Sequence, residues 1–147
     1  MMNRKGSVFA LTALAAGLGL SGIAWAASRD DDSPLKKAME QVQAKDAFIK
    51  KNYKTKAVFT KNQKEMVESA KALAKLGKEF RLEAGPVKEQ KKTQKEWTDL
   101  MDAYVKEVES YATEIAKPGT TVEVAKDKYK PVIASCTACH TIFRKDD

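Results

Sequence analysis

Two thiols and an imidazole stand within five residues near the C-terminus, in Cys136-Thr137-Ala138-Cys139-His140. They are both cysteines and the single histidine of the 147-residue chain, so its thiol and imidazole chemistry is concentrated there. Cys-x-x-Cys-His is the spacing that attaches haem: two thioethers form along one porphyrin edge while the adjacent imidazole reaches the iron. A helix meets that demand, because positions i, i+3 and i+4 leave one face. Three other readings use the same residues. A structural zinc site needs four ligands, and cysteine and histidine together supply only three here. A thioredoxin-like Cys-x-x-Cys opens a helix after a strand, and no strand pattern precedes this one. A plain disulfide leaves His140 without a role. Haem attachment is the reading that uses all three side chains.

The rest of the chain has to carry that motif on a helix and cover it. Ser33 followed by Pro34 is a favoured helix start, and Leu35, Ala38, Met39, Val42, Ile49 and Tyr53 then recur at three- and four-residue steps. Thr60-x-x-Gln63 resembles a capping box, and Met66, Val67, Ala70, Leu73, Ala74 and Phe80 give a second apolar stripe ended by Gly85-Pro86. Thr93-x-x-Glu96 is another box, ahead of Trp97, Leu100, Met101, Tyr104, Val108, Tyr111 and Ile115. Pro118-Gly119 ends that helix. Thr120-x-x-Glu123 then opens a fourth, whose face runs Val122, Ala125, Tyr129, Val132, Cys136, Cys139, His140 and Phe143. Four stripes with short connections predict an all-α fold, an antiparallel four-helix bundle with the motif on its last helix. Pro131 conflicts with this locally: a helix-interior proline costs about 3 kcal/mol. The expectation is a kink, or a break that starts the motif-bearing helix near Pro131 or Val132.

The N-terminus reads as an export signal over residues 1–26, with basic Asn3-Arg4-Lys5, an apolar run from Val8 to Ile23 and a small-x-small site at Ala24-Trp25-Ala26. The run is shorter than the roughly 20 residues of a spanning helix, although an uncleaved anchor is the rival reading. Residues 27–147 then form one polar domain. Export fits the motif, because haem attachment to Cys-x-x-Cys-His is extracytoplasmic in bacteria; the expected location is the periplasm. The formal charge is +7, much of it lysine spread along helices (Lys50, Lys51, Lys54, Lys56, Lys61 and Lys64, then Lys88, Lys91, Lys92 and Lys95). A solvated face is one reading, and a docking surface for an acidic redox partner is the other. Nucleic-acid binding is not expected, since the lysines are not interleaved with exposed-looking aromatics.

A four-helix bundle with Cys-x-x-Cys-His on its last helix resembles the cytochrome c-prime superfamily. The likeness is most specific over Cys136 to Arg144, where Phe143 and Arg144 match an aromatic and a basic residue that follow the motif. It implies one covalent haem c on Cys136 and Cys139, with His140 as the proximal iron ligand. Arg144 would lie near the haem edge or its propionates; the alternative is an ordinary helix-end arginine on the terminal carbonyls. The family holds two kinds of site, a low-spin one with methionine from the first helix on the iron and a high-spin one open to nitric oxide or carbon monoxide. Leu35, Met39-Glu40, Ile49 and Lys51 are similar to the low-spin pattern, also seen in the soluble b-type four-helix cytochrome of the periplasm. The resemblance therefore implies an electron carrier, not an enzyme, with Met39 as second axial ligand. The gas-binding form is the alternative, in which Met39 is core filler. Peroxidase chemistry ranks below both, because no second histidine supplies a distal acid–base group. Relatives often pair through helices one and two, so a homodimer is compatible with the resemblance.

Overall fold

The computed structural model describes residues 33–144; the expected signal over 1–26 lies outside them, as do 27–32 and 145–147. The described residues form helices and turns, with no strand among them. The helices are α1 Pro34–Asn52, α2 Lys56–Phe80, α3 Gly85–Glu89, α4 Gln94–Ile115 and α5 Val122–Phe143. None is long and apolar enough to cross a membrane.

All four long helices start where short polar side chains meet orphan amides. Ser33 accepts from the Lys36 N–H at 3.1 Å, with Pro34 in the first turn of α1. Thr93 and Glu96 close the expected box at the head of α4, Glu96 accepting from the Thr93 N–H at 2.8 Å and Thr93 accepting from the Glu96 N–H at 3.2 Å. The expected start of α2 at Thr60 is corrected. Thr55 is the cap, accepting from Val58 N–H at 3.3 Å, because it is the first such residue after the turn that follows Asn52. Gln63 closes no box; its amide donates to the Ile115 carbonyl at 2.7 Å and satisfies the far end of α4. The start of α5 also moves by one residue. Thr121 caps it, while the Thr120 hydroxyl donates back to Glu114 and Lys117 carbonyls at 2.8 and 3.0 Å. Gly119, at φ 78°, supplies the left-handed turn that separates the two roles.

The expected end of α2 at Gly85-Pro86 is corrected: α2 stops at Phe80, and Pro86 sits in the first turn of the short α3, which carries the chain to the α4 box. Pro131 does not break α5, which runs unbroken from Val122 to Phe143, so no separate motif-bearing helix begins there. Pro131 and Asp127 are both exposed. The carbonyl of Asp127, which loses its intrahelical donor to the proline ring, therefore faces solvent and water can satisfy it.

α2 packs against α1 and α4, and α4 against α5, whereas α1 and α5 touch only sparsely. Gly77 sets the α2–α4 approach: a methyl added there would lie 2.7 Å from Val105 Cγ2 and 3.0 Å from the Tyr104 ring. Buried side chains divide into two clusters. The larger, from Ile49 and Phe59 through Met66, Leu73, Val108, Tyr111 and Ile115 to Tyr129 and Val132, fills the middle of the molecule. The smaller is Trp97, Met101 and Phe143, flanked by Leu35, Phe80 and Val87.

Candidate functional site

The sparse α1–α5 contact leaves a cleft of about 770 Å³, whose walls come from all four long helices. All five residues singled out in the sequence line it: Met39 from α1, and Cys136, Cys139, His140 and Arg144 from α5 and its cap. They come from opposite ends of the chain, so tertiary packing brings them together. Both thiols are free and half-buried. Cys136 packs against the larger cluster and Cys139 against the smaller, which puts the two sulfurs along the boundary between them. His140 is exposed at the rim, and Arg144 closes α5 by donating its N–H to the His140 carbonyl at 3.1 Å.

Burial governs the proton affinities here. It raises the Cys136 thiol and pushes the Cys139 thiol up to about 11, with neighbouring Cys136 adding to the latter. Both are therefore neutral in the folded chain at ordinary pH. The His140 imidazole moves the other way: desolvation and then the Arg144 guanidinium disfavour its cation, so its lone pair stays available to a metal.

Four further features of the cleft were not read from the sequence. Met101 lines it from α4, which gives a second thioether facing the same space as Met39. Trp97 forms part of its floor; the indole N–H donates to the Phe80 carbonyl at 3.0 Å, and its ring meets Phe143 edge-on at 5.1 Å. Asp46 lines the opposite wall and accepts from the Tyr129 hydroxyl at 2.8 Å, while its other oxygen pairs with Lys50 at 2.8 Å. Tyr104 lines the cleft at only 7 % exposure, and its hydroxyl has no hydrogen-bond partner. Methionine, tryptophan and tyrosine on an apolar stripe read first as core, which is why periodicity gave them no site role.

Do these residues suit a haem? The cleft volume falls inside the roughly 300–1,000 Å³ of small-molecule and cofactor sites. Its lining is mostly apolar, with Leu35, Ala38, Val42, Leu76, Phe80 and Ile133 beside a few polar groups such as Gln43 and Asp46. Two thiols one helical turn apart face it with an imidazole beside them. Among the described residues no three histidine, cysteine, aspartate or glutamate side chains converge as ligands of a bare ion. A porphyrin asks less of the protein, needing axial donors and an apolar slot. The residues fit that group. Comparison with protein-family models, curated proteins and solved structures finds no match to this chain.

Proposed function

We propose that this protein is an exported c-type cytochrome that carries single electrons in the periplasm and is similar to the cytochrome c-prime superfamily. The observation that carries this reading is the convergence of Cys136, Cys139, His140 and Met39 on one apolar cleft. The helix arrangement supports it. Gln63 bonds the end of α4 at Ile115, while Trp97 and Asp102, near the start of α4, bond Phe80 and Arg81 at the end of α2. Those pairs favour antiparallel packing, with α3 in the connection between two halves of a four-helix bundle.

In this reading Cys136 and Cys139 would hold haem c through thioethers, and His140 and Met39 would be the donors to its iron. When bound, the haem supplies an iron centre that changes oxidation state by one electron. The chain does the rest. A neutral thioether and a neutral imidazole suit both oxidation states, and the methionine raises the potential relative to two histidines. Phe80, Trp97 and Phe143 line the slot with apolar rings that would exclude water and so lower the local dielectric. Arg144 at the rim would offer its guanidinium to the haem propionates. The lysine-rich outer faces suit an acidic partner protein, whose encounter rate should fall as salt screens the attraction.

Absorption spectra of the purified oxidised and reduced protein, with and without carbon monoxide, test this together with mass spectrometry. One haem should stay attached after acid and organic extraction, and Cys136→Ala with Cys139→Ala should lose it. The reduced wild type should be low-spin and slow to bind carbon monoxide, with Met39→Ala opening the site. A wild type that is already high-spin and takes carbon monoxide readily would make this a gas-binding cytochrome. Haem that extracts intact refutes thioether attachment.

A further inference from the structure

Five sulfur-bearing side chains lie among the described residues, and four of them line the one cleft: Met39 from α1, Met101 from α4, and Cys136 and Cys139 from α5. The fifth, Met66, is fully buried in the larger cluster. Methionine on a helix stripe is ordinarily core filler, and Met66 is that. Met101 differs in its company. It is only 4 % exposed yet lines the cleft, and the small cluster it belongs to is the one Cys139 packs against. Cys136 stands one turn back along α5, near enough to raise the proton affinity of Cys139. The chemistry of this set selects its metal. Zinc wants four ligands, and among the described residues no three histidine, cysteine, aspartate or glutamate side chains converge. Calcium and magnesium want oxygens, which a mostly apolar lining does not gather. A soft monovalent ion is satisfied by fewer donors and takes thioethers alongside thiolates.

We propose that the haem-free cleft binds one cuprous ion through the Cys136 and Cys139 thiolates and the Met101 thioether. The site needs no haem to exist, so it stands apart from the electron-carrier reading. On binding, two copper–sulfur bonds form to the cysteines, their two thiol protons leave to water, and the thioether adds a lone pair. Copper stays monovalent throughout, so no oxidant or reductant is needed. Two thiolates and one cuprous ion carry a single net negative charge, and Lys50 and Arg144, lining the same cleft, supply positive charge nearby. A chain carrying copper in this way has no thiol to spare for a thioether.

The test is an anaerobic titration of the full chain, made haem-free and with both thiols counted as reduced, against Cu(I) held by bicinchoninate as the competing chelator. One copper per chain is expected to pass from chelator to protein. Met101→Leu nearly conserves volume and should weaken binding at least about tenfold, the low end of what even outer-shell changes cost a metal site. Met66→Leu, the same change outside the cleft, should leave the affinity as it was. Cys139→Ser should abolish the transfer. X-ray absorption at the copper edge should show a shell of sulfur alone. Circular dichroism of each variant separates loss of a donor from loss of the helices. No transfer to the wild type overturns the proposal. So does a transfer that Met101→Leu leaves unchanged, which is what a bare Cys-x-x-Cys segment would give. Nitrogen in the shell overturns it too, by putting His140 on the metal. Haem takes no part in these measurements, so spectra that refute the electron-carrier reading leave this result standing, and the reverse.

Discussion

Trp97→Ala is the sharpest test of how the cleft is held, because one side chain ties three helices there. The indole is 2 % exposed, donates to the end of α2 at Phe80, and meets Phe143 of α5 with planes 82° apart. Truncating a buried tryptophan costs about 3–5 kcal/mol in lost transfer energy and cavity. The edge-to-face pairing contributes about 0.5–1.5 kcal/mol of that in comparable pairs. Trp97→Phe separates the parts: it keeps an aromatic edge for Phe143 but loses the N–H, so it should cost about 1–2 kcal/mol, mostly the hydrogen bond and the volume lost with it. Urea unfolding of wild type and both variants at matched haem content measures the two costs. The effect should also be local. Phe143 is one turn from Cys139 and His140, so amide exchange over residues 139–143 should rise in Trp97→Ala before global stability fails. A loss below about 0.5 kcal/mol, or equal losses in the two variants, would refute the assignment of Trp97 as the tie.

Gly77→Ala sets two effects against each other: helix propensity alone stabilises by about 1 kcal/mol, while forcing a methyl against Val105 costs about 1–3 kcal/mol of overpacking. Val105 is stiff and buried, so net destabilisation is expected in thermal unfolding, and a raised midpoint would show that α2 and α4 part easily. At the head of α4 the backbone N–H of Thr93, and then its hydroxyl, hold the Glu96 carboxylate below the ordinary range. The stability it adds is therefore present above the ordinary glutamate pKa and fades as pH falls through the lowered one, and Glu96→Gln should remove that acid-side slope from a pH series of unfolding midpoints. Met101→Leu should leave the low-spin spectrum intact if Met39 is the axial donor, since the swap nearly conserves volume. A high-spin spectrum in that variant would move the ligand to α4.

Much of this molecule is legible in local chemistry. The Cys-x-x-Cys-His spacing carries the haem proposal without any neighbours. The Ser33 and Thr93 caps act within one turn, so their residues alone predict two helix starts that the structure has. The stripes from Met66 to Leu73 and from Trp97 to Ile115 are buried as their period requires, apart from half-buried Leu100. Where a local signal was ambiguous, long-range contacts chose. Thr60-x-x-Gln63 looks like a cap, but Gln63 is taken by the Ile115 carbonyl, 52 residues away, a bond that exists only once α2 and α4 pack, and Thr55 caps the helix instead. Pro131 looks like a break until the exposed side of α5 shows that its lost hydrogen bond faces water. The cleft is the clearest case. Met39, Asp46, Met101 and Tyr104 have no spacing that links them to Cys136, because their proximity is set by which helix faces which. Sequence determines a side chain and its face on a helix; the gap between α1 and α5, and so the site itself, is a property of packing.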